Sequence, residues 1–188
     1  MVINTHAHYN HNSFKHSFRY LTRDENGDAI TAVPTAHSGG SMTIFEVTGN
    51  KKEYLPLLLL ADEQEDMIDR YLEKGTMYVL EDGGVKAECV VTDEGDGILE
   101  LKNMAVDPEH QRKGYGKALV KFLIQRYTGQ YRILQVGTGD SPLTIPFYES
   151  CGFTRAFTIP NFFTDNYDHP IWECGVQLVD MVYLRMDL

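Results

Sequence analysis

The stretch Asp107–Lys117, DPEHQRKGYGK, leads from a strand-like run into an amphipathic one and constrains the fold more than any other part of the sequence. Downstream, Leu119, Val120, Leu123, Ile124 and Tyr127 form a broad apolar face while Lys117, Lys121 and Gln125 form a polar one, which predicts a helix to about Tyr127 packed on a sheet. Gly114 and Gly116 let backbone amides turn inward at the start of that helix, where unpaired N–H groups and the macrodipole favour an anion. Arg112, Lys113 and Lys117 add charge to the same place, so Gln111–Gly116 reads as a pyrophosphate cradle, against the plainer alternative of a solvated basic turn. The spacing excludes two common phosphate binders. No GxGxxG follows the strand, and RKGYGKAL lacks the GxxxxGK[ST] of a P-loop.

The rest of the chain limits the context in which such a loop works. Its 188 residues, 43% of them hydrophobic, suit one domain with a modest appendage. The longest apolar patch, LPLLLLA, is far shorter than the ~18 residues that a membrane span needs. The start of the chain is rich in histidine and has no apolar segment of signal-peptide type, so a cytoplasmic location is expected. A net charge of −10 opposes binding to a nucleic-acid backbone, although a local basic loop can still hold one small anion. Cys89, Cys151 and Cys174 are widely spaced and odd in number, which argues against a disulfide framework or a zinc knuckle and predicts buried free thiols.

Composition changes near Met42. Residues 1–41 form a polar, His-rich, tag-like leader ending in HSGGSM, and residues 42–188 form the folded domain. In the leader, THAHYNH sets His6, His8 and His11 at metal-ligand spacing and resembles the HxHxDH loop of the metallo-β-lactamase superfamily, with Asn10 in place of the aspartate. Further ligands and a scaffold are not recognisable, so no metal centre is expected.

From Met42 the elements alternate. TIFEV is strand-like; Asp62 is expected to cap a helix, with Glu65 completing a capping box, Met67, Ile68, Tyr71 and Leu72 as its apolar stripe and Gly75 as its end. Strands are predicted from Thr76, Val85 and Gly97, joined by the turns DGG and EGDG as antiparallel hairpins. Leu99 and Leu101 follow one alternation phase and Met104 and Val106 the other, which predicts a β-bulge near Lys102 and Asn103. YRILQVG is a further strand, SPLTIPFYES a helix capped by Ser141, and VDMVYLRMDL a final strand.

A bulged strand ending NMAVDPEHQRKGYGKAL, followed by a strand and then by FYESCGF, resembles the GNAT superfamily of N-acetyltransferases. The resemblance spans about Met42 to Leu188, and LLLLADEQEDMIDRYLEKGTMYV with the C-terminal region looks like a small bacterial subgroup sometimes labelled indole-3-acetic acid acetyltransferase-like. It implies an α/β chain of α+β type: a mixed, mostly antiparallel central sheet flanked by helices, with the bulge in the fourth strand. It also implies acetyl-CoA as cosubstrate. The pyrophosphate is expected on Gln111, Arg112, Lys113, Gly114, Tyr115, Gly116 and Lys117, and the pantetheine arm beside the backbone of Met104, Ala105 and Val106.

The implied reaction is direct attack of a primary amine of a small molecule or peptide on the thioester. An alkylamine with a pKa of ~10.4 is mostly protonated at neutral pH and must lose a proton first. By resemblance Glu100 is the candidate base, Tyr148 the candidate acid for the leaving thiolate, and Asp140 a polar contact to cofactor or substrate. A backbone amide freed by the bulge, at Met104 or Ala105, is expected to meet the oxyanion. Cys151 is expected to be structural, since no neighbouring residue supplies a setting that activates a thiol. The segment NFFTDNYDHPIWE, with Tyr167, His169 and Trp172, is expected to wall the acceptor pocket, and its acids to favour a cationic acceptor. A non-catalytic acyl-CoA-binding module is the alternative; homodimers are frequent among similar proteins.

Overall fold

From Met42 on, the main sheet forms where the sequence predicts strands, with one strand more, at Thr154–Ile159. The computed structural model describes residues 42–188 and, before them, only the backbone of Arg19–Tyr20, Thr22–Arg23 and Ala29–Ile30. The leader boundary and His6, His8 and His11 lie outside the described residues. The strands are β1 Thr43–Glu46, β2 Thr76–Glu81, β3 Val85–Gly95, β4 Ile98–Val106, β5 Ile133–Gly139, β6 Thr154–Ile159, the short β7 Trp172–Glu173 and β8 Val176–Gln177, and β9 Met181–Asp187. The main sheet runs Arg19–Tyr20, β1, β2, β3, β4, β5, β9, β6, while β7 and β8 form a separate hairpin. Only Arg19–Tyr20 with β1, and β4 with β5, pair in parallel in the main sheet. It is a mixed, mostly antiparallel sheet.

Helices cover both faces. On one, α3 (Tyr115–Tyr127) and α4 (Thr144–Ser150) bury Leu119, Leu123, Ile145 and Tyr148 against Leu99, Leu101, Met104 and Val136. On the other, α1 (Leu55–Ala61) and α2 (Glu65–Asp69) bury Leu58 and Ile68, with Leu72 beyond them, against Met77, Val79 and Val90. Each fully buried Leu or Ile contributes ~1.5–3 kcal/mol of transfer free energy. A short α5 (Phe162–Asn166) closes one end over Ile171 and Leu178.

Several local readings change. LPLLLLA is helix α1, started by a proline in its first turn. Asp62 ends α1 in extended conformation and caps no helix; its carboxylate accepts from the Tyr71 and Tyr167 hydroxyls. Helix α2 stops at Asp69, yet the apolar stripe to Leu72 stays buried. Ser141 lies ahead of α4 and its Oγ accepts from the Leu143 amide, so it shapes the turn into the helix. Of the cysteines only Cys89 is buried; Cys151 is half-buried and Cys174 exposed at the β7–β8 turn.

The bulge falls where alternation slips. Asn103 pairs with Val90 and Leu101 with Val91, leaving Lys102 as the extra residue on β4. A bulge bends its strand, and β4 parts from β5 here. Their pairing runs from Ile98 with Ile133 to Leu101 with Val136 and stops, although β4 continues to Val106 beside β3 and β5 to Gly139 beside β9. A wedge therefore opens inside the sheet.

Candidate active site

The wedge contains a cavity of about 270 Å³ lined by both strand edges, Glu100–Met104 of β4 and Val136–Gly139 of β5. Tyr148 reaches it from α4, and Asp62, Met67 and Tyr71 from the α1–α2 region. Phe162, Phe163, Tyr167, Ile171, Trp172 and Glu173 form the remaining wall, so the long segment before β9 does enclose the cavity. Past Leu101, alternate backbone groups of β4 face the side that β5 has left, where an extended amide-bearing chain can pair with them.

The strand then delivers the glycine loop. Asp107 caps the turn Pro108–His110 through the Glu109 amide, and the Gln111 side chain donates to the Val106 carbonyl at 3.3 Å, tying the loop to the strand end. Arg112 holds φ +62, a left-handed conformation rare outside glycine, and Gly114 holds φ +93 at the helix N-cap. The first internal bond of α3 runs from the Ala118 amide to the Gly114 carbonyl, so the amides of Tyr115, Gly116 and Lys117 precede the ladder. Gly116 serves packing: a Cβ there would lie 3.2 Å from the Phe147 ring. Arg112, Lys113 and Lys117 are exposed around these amides, and the Tyr115 hydroxyl is committed to Asp82 at 2.7 Å. Amides, dipole and three cations fit a diphosphate.

Glu100 is buried at the cavity wall. Its carboxylate accepts from Lys102 Nζ at 2.7 Å and the Tyr183 hydroxyl at 3.3 Å on Oε1, and from Gln135 Nε2 on Oε2. A carboxylate has about four acceptor positions, so one remains for a substrate proton. Tyr148 is 3% exposed, edge-on to Phe147 and Phe153, and burial holds its phenol protonated well above the usual range. Burial also pushes the Cys89 and Cys151 thiols up, opposite to what a nucleophilic thiolate requires.

The other expected residues separate. Tyr167 and Trp172 line the cavity, with Trp172 57% exposed at its rim. His169 is exposed, pairs with Asp168 and Glu63, and borders a smaller adjoining recess. Asp140 does not reach the cavity: past the end of β5 its exposed carboxylate is drawn to Arg155 at 3.0 Å. Asp62, Tyr71 and Asn103 line the cavity without having been singled out for chemistry. Asn103 was the legible signal, a lone amide within the apolar run LKNMAV. Among the described residues no cluster of His, Cys, Asp or Glu could hold a metal, and no helix is long and apolar enough to cross a membrane.

Residues 73–155 match the family model described as Acetyltransferase (GNAT) domain. The chain is 37% identical over 139 residues to the uncharacterized N-acetyltransferase YvbK of Bacillus subtilis (strain 168), covering 72% of this chain and 90% of that one. A crystal structure of a GNAT family acetyltransferase from Elizabethkingia anophelis with acetyl-CoA bound superposes with a TM-score of 0.75 at 35% identity, over 78% of this chain and 98% of that one. The IAA acetyltransferase from Bacillus cereus ATCC 14579 gives 0.72 at 32% identity, over 79% and 100%. The split bulged sheet, the glycine loop at the head of α3 and these likenesses together establish that the chain belongs to the GNAT family of acetyltransferases.

Proposed function

We propose that the protein transfers the acetyl group of acetyl-CoA directly to a primary amine of a small molecule or peptide. The observation that carries this reading is the parting of β4 and β5 after Leu101 and Val136, which sets a cavity walled by Tyr148 at one end of an edge that leads to the glycine loop. Acetyl-CoA is the cosubstrate: it is bound in the similar Elizabethkingia anophelis structure, and the loop and open strand edge suit its diphosphate and its amide-bearing arm.

The acceptor enters as an ammonium and loses a proton to Glu100, at the carboxylate position left open, directly or through water. Its nitrogen lone pair forms a C–N bond to the thioester carbonyl carbon, and the carbonyl electron pair moves onto oxygen. The Met104 or Ala105 amide, beside the bulge, meets that charge. The C–S bond then breaks, the oxygen pair reforms the carbonyl, and the thiolate leaves. Its parent thiol titrates near ~8.5, below any phenol raised above 10, so complete proton transfer from Tyr148 runs uphill. Tyr148 therefore acts first as a hydrogen-bond donor to sulfur as charge develops; the adduct nitrogen sheds a second proton as the amide forms, which balances the one that CoA gains, while the first, taken by Glu100, is released to solvent.

Incubation with acetyl-CoA and a panel of polyamines, amino-acid amides and peptides, with mass-spectrometric detection of N-acetylated product, tests this reading. Product from wild type supports it. Tight acetyl-CoA binding with no product from any amine favours an acyl-CoA-binding module instead.

A further inference from the structure

The cation nearest to Glu100 is shared. Lys102 Nζ lies 2.7 Å from Glu100 and 3.3 Å from Glu94, so two carboxylates divide one charge. A second cation, Arg185 on β9, is half-buried and pairs with no Asp or Glu among the described residues. Its Nε donates instead to Gln135 Oε1 at 3.0 Å, and Gln135 Nε2 donates to Glu100 Oε2. A guanidinium only donates and an ionised carboxylate only accepts, so both ends demand the same orientation of the Gln135 amide. Gln135 thereby passes the pull of Arg185 on to Glu100, and two acids are matched by two cations.

Strand register builds this relay. Gln135 on β5 stands directly opposite both Glu100 on β4 and Arg185 on β9, which places the three side chains in a row on one face of the sheet. The row lies one position before Leu101 and Val136, the last pair of β4 and β5 before they part. Gln135 is 6% exposed, and neither it nor Arg185 lines the cavity, whereas Glu100 does. Both stand behind the base, out of contact with a bound substrate.

The edge strand supplies a brace. Phe157 on β6 is 41% exposed, yet its ring stacks on Tyr183 with centroids 4.5 Å apart, and the Arg185 guanidinium carbon lies 5.0 Å from its centroid. The Tyr183 hydroxyl donates to Glu100 Oε1 at 3.3 Å. The two arms that reach Glu100 from β9 therefore rest on one aromatic ring.

We propose that Arg185, acting through Gln135 and braced by Phe157, is a positioning residue for Glu100. Its role is to fix one carboxylate oxygen by the relay, so that the remaining acceptor position keeps its direction toward the amine. Without it the Gln135 amide is free to turn, and Glu100 keeps only a cation that Glu94 also holds. The inference rests on the transferase reading with Glu100 as base, and extends it to residues that no substrate touches.

The test is steady-state kinetics with the amine acetylated fastest from a panel of polyamines, amino-acid amides and peptides. Arg185→Met, which keeps an unbranched apolar stem, lowers kcat about 10-fold, the scale of one hydrogen bond to a charged group, with KM for acetyl-CoA unchanged. It also moves the rising limb of the kcat/KM pH profile to higher pH, because the ionised carboxylate has lost a donor's support. Arg185→Lys keeps the charge and recovers part of the loss. Phe157→Leu, at an exposed position, shifts kcat and the limb the same way by less, a second reading if Arg185→Met folds poorly. Arg155→Met removes an exposed guanidinium of β6 that is drawn to Asp140, and changes nothing. In a Glu100→Gln background Arg185→Met costs nothing further, since its effect runs through Glu100. A wild-type kcat and pH profile in Arg185→Met, or an undiminished further loss in the Glu100→Gln background, overturns the relay. The failures are distinguishable: no product from wild type across the panel sinks the transferase reading and this inference with it, whereas product formed equally by wild type and Arg185→Met sinks the relay alone.

Discussion

Glu100 and Lys102 meet at 2.7 Å across the start of the β4 bulge, so the candidate base and its counter-ion share one strand on either side of Leu101. The pairing keeps a buried carboxylate within a network that also includes Gln135 and Tyr183. Glu100→Gln is predicted to lower kcat by about 10²-fold or more while acetyl-CoA binding stays near wild type. Lys102→Met breaks the same ion pair but keeps the carboxylate, and loses less. Steady-state kinetics with both substrates varied checks this; equal losses in the two variants would reduce Glu100 to a structural role.

Legibility followed physical contrast. The strands showed because their two faces differ, and the bulge because Leu99 and Leu101 fall out of phase with Met104 and Val106. The glycine loop was visible because a left-handed Gly114 before a helix has few other uses. Helix α1 was hidden because LPLLLLA is apolar on every side and has no period. Strand β6 was hidden for the opposite reason: each of its residues is exposed, so no buried face marks it. Asp62 carries the signature of a helix cap, and only its distance in sequence from Tyr167, which the fold closes, reveals its other use. Asp140 lies outside the cavity because Arg155, on β6 beyond β9, takes its charge at the surface.

Glu88, wholly buried on β3, has two oxygens without a hydrogen-bond partner. Burial raises its pKa to about 8, and the nearby Ala105 amide offsets this only in part, short of hydrogen-bond geometry. An unfolded glutamate titrates near ~4.3. Between these values the folded chain holds a proton that the unfolded one has released, so stability falls as pH rises, by at most about 1.4 kcal/mol per unit. The contribution is whole below the unfolded value and lost by about pH 8. Glu88→Gln removes the slope. Denaturant titrations between pH 5 and pH 8 should show the variant's advantage over wild type widening with pH; parallel curves would contradict this.

The three thiols should differ in order of reactivity. Exposed Cys174 is predicted to react first with iodoacetamide, half-buried Cys151 slowly, and Cys89 only on unfolding. Cys151→Ala should keep wild-type turnover, as direct transfer requires. An acetylated Cys151 peptide detected by mass spectrometry during turnover would contradict direct transfer.

Tyr148 is the most direct test of the central claim. Its hydroxyl is buried at the cavity wall, and phenylalanine keeps the ring contacts with Phe147 and Phe153. The decisive measurement is the rate of N-acetylated product formation from acetyl-CoA by wild type and Tyr148→Phe, followed by mass spectrometry alongside acetyl-CoA affinity. The account predicts a kcat loss of about 10²-fold or more with affinity unchanged. Equal rates in the two proteins would contradict it.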